Sequence, residues 1–342
     1  IEFNRIKFYS LLFLNLFSPL PFTVHKYFTF KMKKTIDWIL NQYDISLVHF
    51  DMLPLVYYMF CSKTLKQLPT VLVNHNVEYL RILRWAKIET NPLKKWYLYF
   101  QSLKLRLFEK KVCEKVDKVV VVSQIDKFQL QKLSPKARFE VIPNGVDISY
   151  FKSKSILNFS NTLIWVGGMG EAHNRKSVEY FLKKIFPLII NEIPDIKVFF
   201  IGASPCSKLL NMAEKYPNIR ILGYVDDIRP HVQKISIFIA PIISGSGTKI
   251  KVLNALAMGK PVVTTSIGAE GIDVTPGENI IIADTPEEFA EKVIELLKNP
   301  KKAKELGEKG RKLIEEKYSW DVISVKIYKT YDELLSKNKI SI

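Results

Sequence analysis

The chain alternates short runs of apolar residues, rich in valine and isoleucine, with longer segments whose apolar residues recur at helical spacing. This alternation begins near Leu47 and is typical of parallel βα units, because consecutive parallel strands need a helical crossover between them. Runs such as Val119–Val122 and Val198–Gly202 show no polar alternation, as expected of strands covered by helices on both faces. The pattern predicts an α/β protein with open, doubly wound parallel sheets.

Strand signals fall into two groups on either side of residue 148, which predicts two domains for the 342 residues. The predicted strands are Ser46–Phe50, Thr70–Asn74, Lys118–Ser123, Phe139–Ile142, Thr162–Val166, Ile196–Ile201, Ile219–Leu222, Ile235–Ala240, Pro261–Thr265 and Asn279–Ile282. Helices are predicted over Asn174–Asn191 and Lys249–Met258. Another is predicted over Thr285–Asn299, where Thr285 and Glu288 form a capping box.

The first 45 residues do not follow this alternation. They are aromatic and helical in pattern, and they lack the opening strand and glycine-rich turn with which a doubly wound domain normally starts. We therefore expect a first domain without its opening strand or strands. The link to the second domain is predicted in the polar segment Asn144–Asn161.

Charge is unevenly distributed: 51 Lys and Arg against 34 Asp and Glu leave +17. Residues 1–148 carry 23 of these basic and 12 of these acidic side chains, which suggests an anionic partner or surface for the first domain. Three well-separated cysteines argue for the reducing cytoplasm and against a zinc site. The apolar stretch Phe8–Phe22 contains two prolines and is shorter than the ~20 residues that span a bilayer. No signal peptide is expected.

One small-residue loop, Gly245–Thr248, separates a buried strand from a helix. Such a loop exposes backbone N–H groups at the positive end of the helix dipole, which suits a diphosphate, although a tight turn built for packing is the alternative. Lys249 and Lys251 lie in the first helical turn, where the dipole disfavours cations, so a bound anion or plain solvation would explain them. Asn254 lies roughly 9 Å along the axis from Thr248, about the reach from a diphosphate to a ribose.

A second loop, Gly167–Gly170, follows the first strand of the second half and precedes the basic residues Arg175 and Lys176. Glycines let a ligand approach the backbone, and the basic side chains could neutralise phosphate charge; a solvated basic helix start is the alternative. Both loops leave the carboxyl ends of strands in one parallel sheet, where open α/β sheets bind ligands. The two loops together predict an anion site.

The segments WVGGMG, IKVFFIG, ILGYVDDI and FIAPIISGSGTKIKVLNALAMGKPVVTTSIGAEGI occur in an order that resembles the donor-binding domain of family 4 retaining glycosyltransferases. VLVNHNVE, VVVVSQID and VIPNGVD resemble the acceptor domain and interdomain link of the same family, and YSWDVISVKIYKTYDELL resembles its last helix. The resemblance covers residues 45–336. It implies a GT-B fold, in which two Rossmann-like domains face a cleft: an acceptor domain at 1–147, a donor domain at 148–318 and a helix at 319–342 that crosses back to the first domain.

The resemblance also implies a site for a UDP- or GDP-linked sugar, with no cofactor and no metal. His75, Arg175 and Lys251 would be the catalytic group, with His75 bonded to the transferred sugar, and Asn76 and Glu78 would lie on the acceptor side. The implied donor-binding residues are Gly167, Gly168, Asn174, Lys176, Gly223, Val225, Asp226, Gly245, Ser246, Gly247, Thr248, Lys249 and Asn254. The base would lie near Gly223–Asp227 and the ribose against Asn254.

The sequence departs from the family pattern at three of these positions. Ser246 and Asn254 replace two glutamates that usually stand there, and Gly168 replaces a common arginine. An amide in place of the ribose-binding carboxylate costs ~1–2 kcal/mol, or roughly tenfold in donor affinity.

The function that the resemblance implies is metal-independent hexosyl transfer, with retention, to a polysaccharide, glycan or lipid-linked acceptor in cell-envelope biosynthesis. A non-catalytic sugar-nucleotide-binding or scaffold homologue and a GT-B-like sugar-nucleotide epimerase are the alternatives. A dehydrogenase is disfavoured because no strand precedes a Gly-x-Gly-x-x-Gly, and nucleic acid is disfavoured because no binding motif accompanies the charge.

A helix predicted over Pro92–Lys118 bears on location. Its apolar stripe, Trp96, Phe100, Leu103 and Leu107, adjoins a basic stripe, Lys104, Lys111, Lys115 and Lys118. Two interpretations are open: the helix rests on anionic lipid at the inner face of the plasma membrane, or it turns its apolar stripe to the core and its basic stripe to water.

Overall fold

The computed structural model describes residues 5–152, 160–245 and 247–339. The chain forms two compact units: Ile1–Ile142 with Val325–Ile342, and Pro143–Ser324. Each unit contains one sheet, and every pair of neighbouring strands is parallel. The predicted α/β class is confirmed.

The sheet of the first unit has four strands, and its order β1-β2-β3-β4 follows the chain. Its strands are β1 Val48–Phe50, β2 Thr70–Asn74, β3 Lys118–Val121 and β4 Phe139–Val141. The helices up to β4 are α1 Arg5–Leu16, α2 Phe22–Tyr27, α3 Phe30–Gln42, α4 Tyr57–Cys61, α5 Glu78–Ile88, α6 Pro92–Cys113 and α7 Gln124–Leu133. Described residues 5–45 form helices and no strand, as predicted for this segment.

The sheet of the second unit has six strands in the order β10-β9-β8-β5-β6-β7. Its strands are β5 Thr162–Val166, β6 Lys197–Ile201, β7 Ile219–Gly223, β8 Ile237–Ala240, β9 Val262–Thr264 and β10 Ile281–Ile282. Its helices are α8 Ala172–Tyr180, α9 Phe186–Glu192, α10 Ser207–Ala213, α11 Arg229–Gln233, α12 Ile250–Ala257, α13 Ser266–Ala269, α14 Pro286–Lys298 and α15 Pro300–Lys317. A further helix, α16 Trp320–Lys339, begins in the second unit and belongs to the first unit from Val325 onward. All ten predicted strands are present within a few residues of their expected bounds. The order reverses between β5 and β8.

Both faces of the second sheet are covered, as the continuous apolar runs predict. Along β5, Leu163 and Trp165 point into a core with α8, α9 and α14, whereas Ile164 points into a core on the other face with α12 and α15. Successive side chains of a strand face opposite sides of the sheet, so a strand buried on both faces needs apolar residues at every position.

The predicted helix Asn174–Asn191 consists of α8, a π-helical turn at Phe181–Ile185, and α9. Pro187 accounts for the irregularity, because it has no N–H to donate to the preceding turn and its ring would clash with that turn's carbonyl. The helix predicted over Lys249–Met258 is α12, and Gly259 ends it at a φ of 66°.

The prediction for the Pro92–Lys118 helix needs a correction. α6 ends at Cys113, and the side chains of the predicted apolar stripe do not face the core: Trp96, Leu103 and Leu107 are 61%, 53% and 64% exposed. Lys104, assigned to the solvated basic stripe, is 6% exposed and donates from Nζ to the Asn15 carbonyl. The buried face of α6 instead contains Leu98, Leu105, Phe108 and Val112. The interpretation with a core-facing apolar stripe is therefore wrong.

The buried face of α6 also anchors the loop between β2 and α5. The Glu109 carboxylate is fully buried and accepts hydrogen bonds from Asn74 Nδ2 at 2.8 Å and from the backbone N–H groups of Glu78 and Tyr79 at 3.1 and 3.2 Å. α5 starts after Val77, which has no capping side chain, so Glu109 satisfies N–H groups that would otherwise lack a partner. It thereby fixes both ends of the segment 75–77.

Burial raises the pKa of Glu109 from 4.5 to about 7, although the three hydrogen bonds oppose this shift. The folded protein thus retains this proton up to about pH 7, whereas the unfolded chain releases it near pH 4.5. The Glu109 contribution to the free energy of unfolding therefore falls as the pH rises through this window, by about 3 kcal/mol in total.

We expect Glu109→Gln to remove this pH dependence, since an amide does not titrate. The free energy of opening of the first unit, measured by hydrogen-exchange mass spectrometry between pH 5 and 8, should fall with pH more steeply in the wild-type chain than in the variant. Glu114→Gln, at the exposed end of the same helix, should behave as wild type. Equal slopes in wild type and Glu109→Gln would contradict the assignment.

Candidate functional site

The strand-order reversal in the second sheet brings together the two loops in which ligand-binding residues are predicted. β5 and β8 are neighbours, with Leu163 beside Ile237, and the crossovers that follow them depart in opposite directions. The loop after β5 contains Gly167–Gly170, and the loop after β8 contains Gly245–Thr248. Ligands of doubly wound sheets bind in the crevice at such a reversal.

Lys251 connects the two loops from the first turn of α12. Its Nζ donates to Asn174 Oδ1 at 2.8 Å and lies 4.4 Å from the centre of the Trp165 ring. Asn174 in turn donates from Nδ2 to the Gly168 carbonyl at 2.9 Å. The structure thus joins three predicted site residues, Gly168, Asn174 and Lys251, in one hydrogen-bonded group.

The Lys251 ammonium has no carboxylate among these contacts. Burial, with a smaller effect of the Lys249 charge, lowers the pKa of Lys251 to about 7. A cation that is costly to keep charged in the free protein gains most from an anion placed beside it. The arrangement is suited to a phosphate group.

Glycines make the close packing of the first loop feasible. A Cβ on Gly167 would overlap Lys251 Nζ, and a Cβ on Gly202 would overlap the Gly167 carbonyl oxygen. At Gly168, by contrast, a Cβ would meet nothing within 4 Å among the described atoms. Gly167 is therefore required by packing, and the space at Gly168 is open to a ligand.

The loop after β8 leads into the N-terminus of α12. Gly247 has a φ of 69°, and Lys249, the residue before α12, donates from Nζ to the Gly247 carbonyl at 2.6 Å. The side chain of Lys249 makes no capping hydrogen bond to the first N–H groups of α12. Thr248 Oγ1 lies 3.5 Å from the Gly271 carbonyl, at the limit of a hydrogen bond. Ser246 lies outside the described residues.

The other predicted donor-site residues lie near this group with different partners. Asn254 is half-buried one turn after Lys251, on the same face of α12. Arg175 donates to the Gly170 carbonyl at 2.6 Å, within its own loop. Lys176 is half-buried on α8. The described contacts join Lys251, but not Arg175, to Asn174.

The segment predicted to hold the base lies at the end of β7. Gly223 has a φ of 70° and accepts from the Gly202 N–H at 2.7 Å, while Val225 packs on the core and Asp226 is exposed. Asp227 is engaged by a two-pronged ion pair with Arg229, which lowers the pKa of its carboxyl. β7 is two strands away from β5, about 10 Å across the sheet.

In the first unit, His75 follows β2 and Asp51 follows β1. His75 Nε2 and Asp51 Oδ1 are 2.9 Å apart. Asn76 is half-buried in the loop held by Glu109, whereas Glu78 accepts from Arg81 at 2.7 Å as an ion pair within α5. Glu78, predicted to lie on the acceptor side, thus also stabilises α5 through an ion pair between residues three apart.

Several residues at these sites were not predicted. Asp51 contacts His75, while His49 lies near Asp51 and contacts Tyr331. Glu109 and Trp165 lie beneath the loops. The Trp165 Nε1 and Ser244 Oγ atoms are buried without a hydrogen-bond partner in the described part of the chain. Asp51 and Ser244 could have been found from the sequence, because each is a polar residue in the loop that follows a predicted strand.

The described residues provide neither a metal site nor a membrane-spanning helix. No group of three or more His, Cys, Asp or Glu side chains there could hold a metal ion. Among the described helices, none has the length and apolar character needed to cross a membrane.

Comparison with known families matches both halves of the chain. Residues 12–150 match the model described as Glycosyltransferase Family 4, and residues 160–299 match Glycosyl transferases group 1. Together the two models account for most of the chain.

Known relatives agree with these models. The chain is 25% identical over 307 residues to an uncharacterized 44.6 kDa protein in the cps region of Klebsiella pneumoniae, covering 87% of this chain and 75% of the relative. It is 29% identical over 242 residues to the uncharacterized glycosyltransferase MJ1178 of Methanocaldococcus jannaschii, covering 68% and 64%. It is 23% identical over 239 residues to a GDP-mannose-dependent monoacylated alpha-(1-6)-phosphatidylinositol monomannoside mannosyltransferase of Corynebacterium glutamicum, covering 64% and 62%. The chain therefore spans 62% to 75% of these relatives' own lengths.

Solved structures show the same fold. Sucrose-phosphate synthase from Thermosynechococcus elongatus superposes with a TM-score of 0.74 at 16% identity, covering 90% of this chain and 78% of the synthase. Anabaena HepE in complex with UDP and glucose gives 0.69 at 13% identity, covering 89% and 82%. The fold is GT-B, and the chain belongs to the group 1, family 4 glycosyltransferases.

Proposed function

We propose that this chain is a retaining, metal-independent hexosyltransferase that takes a sugar from a UDP- or GDP-linked donor to a polysaccharide, glycan or lipid-linked acceptor. The observation that carries the proposal is Lys251, a half-buried lysine whose ammonium is held between two small-residue loops at the strand-order reversal. The Corynebacterium relative is described as GDP-mannose-dependent, and HepE was solved with UDP and glucose, which supports both nucleotides as donors.

In the proposed mechanism, the donor diphosphate lies against the loops after β5 and β8. Lys251 and the uncapped N–H groups of α12 stabilise the negative charge that develops on the diphosphate as the glycosidic bond breaks. Asn174 holds the Lys251 ammonium beside Gly167, and the space at the neighbouring Gly168 is open. The base extends toward Gly223, and His75 contacts the transferred sugar, with Asn76 on the acceptor side.

The pKa of Lys251 gives this mechanism a direct test. Because the free ammonium has a pKa of about 7, a bound diphosphate must raise that pKa, and the protein takes up a proton on binding at pH 8. We expect calorimetry of UDP- and GDP-sugars in buffers of different ionisation enthalpy to show uptake approaching one proton. Nucleotide sugars have no phosphate that titrates near this pH, so the uptake reports the protein.

Lys251→Met should abolish the proton uptake and weaken donor binding by roughly tenfold or more. Lys197→Met makes the same change at the opposite, amino-terminal edge of the sheet and should leave both unchanged. Binding without proton uptake by the wild-type chain would contradict the role of Lys251, and the absence of binding to every nucleotide sugar would overturn the proposed donor.

Asn254 separates an enzyme from a non-catalytic homologue that only binds sugar nucleotides. A carboxylate at this position accepts both ribose hydroxyl protons, so Asn254→Glu should strengthen donor binding by roughly tenfold and raise turnover at low donor concentration. Gln233→Glu, on α11, is a matched control. Turnover in neither form, with donor binding intact, would favour the scaffold, and product formed without an acceptor would favour an epimerase.

The exposed face of α6 supports a location at the cytoplasmic face of the membrane. It presents the apolar side chains Leu93, Trp96, Leu103 and Leu107 among basic residues, and the only acidic residue of the helix, Glu109, is buried. An apolar, cationic and carboxylate-free helix face suits anionic lipid headgroups. The free cysteines suit a reducing compartment.

We expect the chain to sediment with vesicles of phosphatidylcholine containing 30% phosphatidylglycerol and not with phosphatidylcholine alone. The double change Leu103→Gln and Leu107→Gln should reduce the bound fraction at least tenfold, because each leucine contributes ~1–2 kcal/mol on burial. Leu188→Gln with Leu210→Gln, exposed leucines of the second unit, is the control. Equal sedimentation of the two double variants would count against the α6 face.

A further inference from the structure

Four polar side chains form a connected row at the carboxyl edge of the first sheet. His75 Nε2 lies 2.9 Å from Asp51 Oδ1, and the same oxygen lies 3.8 Å from His49 Nε2. His49 Nδ1 lies 2.5 Å from the hydroxyl of Tyr331. These residues come from the end of β2, the end of β1, β1 itself and α16, and all belong to the first unit.

The backbone explains why Asp51 meets His75. β1 and β2 pair in parallel, with Phe50, the last residue of β1, beside Leu72 of β2. Asp51 therefore follows β1 at the same edge of the sheet at which His75 follows β2. Glu109 holds Asn74 and the start of α5, so His75 stands on a loop fixed at both ends. The Asp51–His75 contact is thus set by the sheet and by a buried anchor.

The chemistry of the row determines where its protons lie. A carboxylate only accepts hydrogen bonds, so His75 Nε2 carries a hydrogen toward Asp51. His49 Nε2, at 3.8 Å, is too far from the same oxygen for a hydrogen bond, but the negative charge of Asp51 favours a hydrogen on that nitrogen. In this form His49 accepts at Nδ1, and Tyr331 donates. Burial lowers the pKa of His49 and raises the pKa of Tyr331, which keeps the ring neutral and the hydroxyl protonated.

We infer that Asp51, supported by His49 and Tyr331, is a positioning residue that holds His75 in the tautomer with hydrogen on Nε2, so that Nδ1 accepts a hydrogen bond from a sugar hydroxyl. This inference rests on the proposed function, in which His75 contacts the transferred sugar. It names the substrate group at this ring as a hydrogen-bond donor. A ring that accepts from a hydroxyl also rejects a sugar that lacks that hydroxyl, because Nδ1 would be left unpaired.

The tautomer can be read without any activity. In the full-length chain labelled with ¹⁵N-histidine, long-range ¹H–¹⁵N spectra at pH 8.5 distinguish protonated from unprotonated ring nitrogens, and His75→Gln assigns the signal. We expect wild-type His75 to be the Nε2–H form. Asp51→Ala should give a mixture of both forms, and Asp51→Asn, whose amide oxygen still accepts, should retain most of the wild-type form.

Transfer kinetics provide the second readout. Asp51→Ala should lower kcat by about 10- to 100-fold, Tyr331→Phe should lower it by less, and Asp51→Asn should recover part of the loss. The Kd for UDP or GDP, measured by calorimetry, should not change, because the nucleotide site lies in the second unit. Asp44→Ala, which removes an exposed carboxylate ahead of β1, is the control. Since Asp51 is 71% exposed, its removal leaves no cavity in the core.

Failure of this inference and failure of the proposed function give different results. A wild-type His75 protonated at Nδ1, or a tautomer unchanged in Asp51→Ala, would overturn the inference even if sugar transfer is found. An Nε2–H form lost in Asp51→Ala, together with no transfer from any nucleotide sugar, would support the positioning role and refute the proposed enzyme. Unchanged kcat in an active Asp51→Ala would overturn the inference directly.

Discussion

The reversal of strand order between β5 and β8 is the constraint on which the second unit depends. Crossovers leave these neighbouring strands in opposite directions, so no helix covers the crevice between their carboxyl ends. Gly167 and Gly202 let the backbone close up beneath that crevice, and Lys251 occupies the space that a side chain at Gly167 would take. A side chain at Gly167 would therefore displace Lys251, and one at Gly202 would displace the backbone at Gly167.

In each unit, a titratable group with a strongly shifted pKa lies beneath a loop that follows a strand. In the first unit it is a carboxylate, Glu109, satisfied by an amide and two backbone N–H groups; in the second it is an ammonium, Lys251, satisfied by an amide oxygen. Burial moves the pKa of each to about 7, from opposite directions. The two groups differ in their hydrogen-bond partners: Glu109 accepts from three donors, whereas the Lys251 ammonium donates to one amide oxygen and lies against an aromatic ring.

The strands were predictable because a parallel strand covered on both faces must be apolar at every position, which leaves a local signature. The buried face of α6 could not be predicted, because this helix has apolar residues on more than one face. Trp96, Leu103 and Leu107 lie at a spacing as regular as that of Leu98, Leu105 and Val112, and only contacts with distant segments decide which row is buried. The same limit applies to His75, whose supporting Tyr331 comes from a distant part of the chain, and to Lys251, whose burial depends on Trp165 and Asn174.

The division of α16 has a consequence for biosynthesis. The second unit is one continuous segment, Pro143–Ser324, whereas the first unit is assembled from both ends of the chain. Synthesis therefore delivers all of the second unit before Val325 and the residues after it, among them Tyr331 and Glu333, the ion-pair partner of Lys118. Because domains fold as their residues emerge, the second unit can fold before the part of α16 that belongs to the first unit has been synthesised. The row that ends at Tyr331 can thus form only after every residue of the second unit has been synthesised.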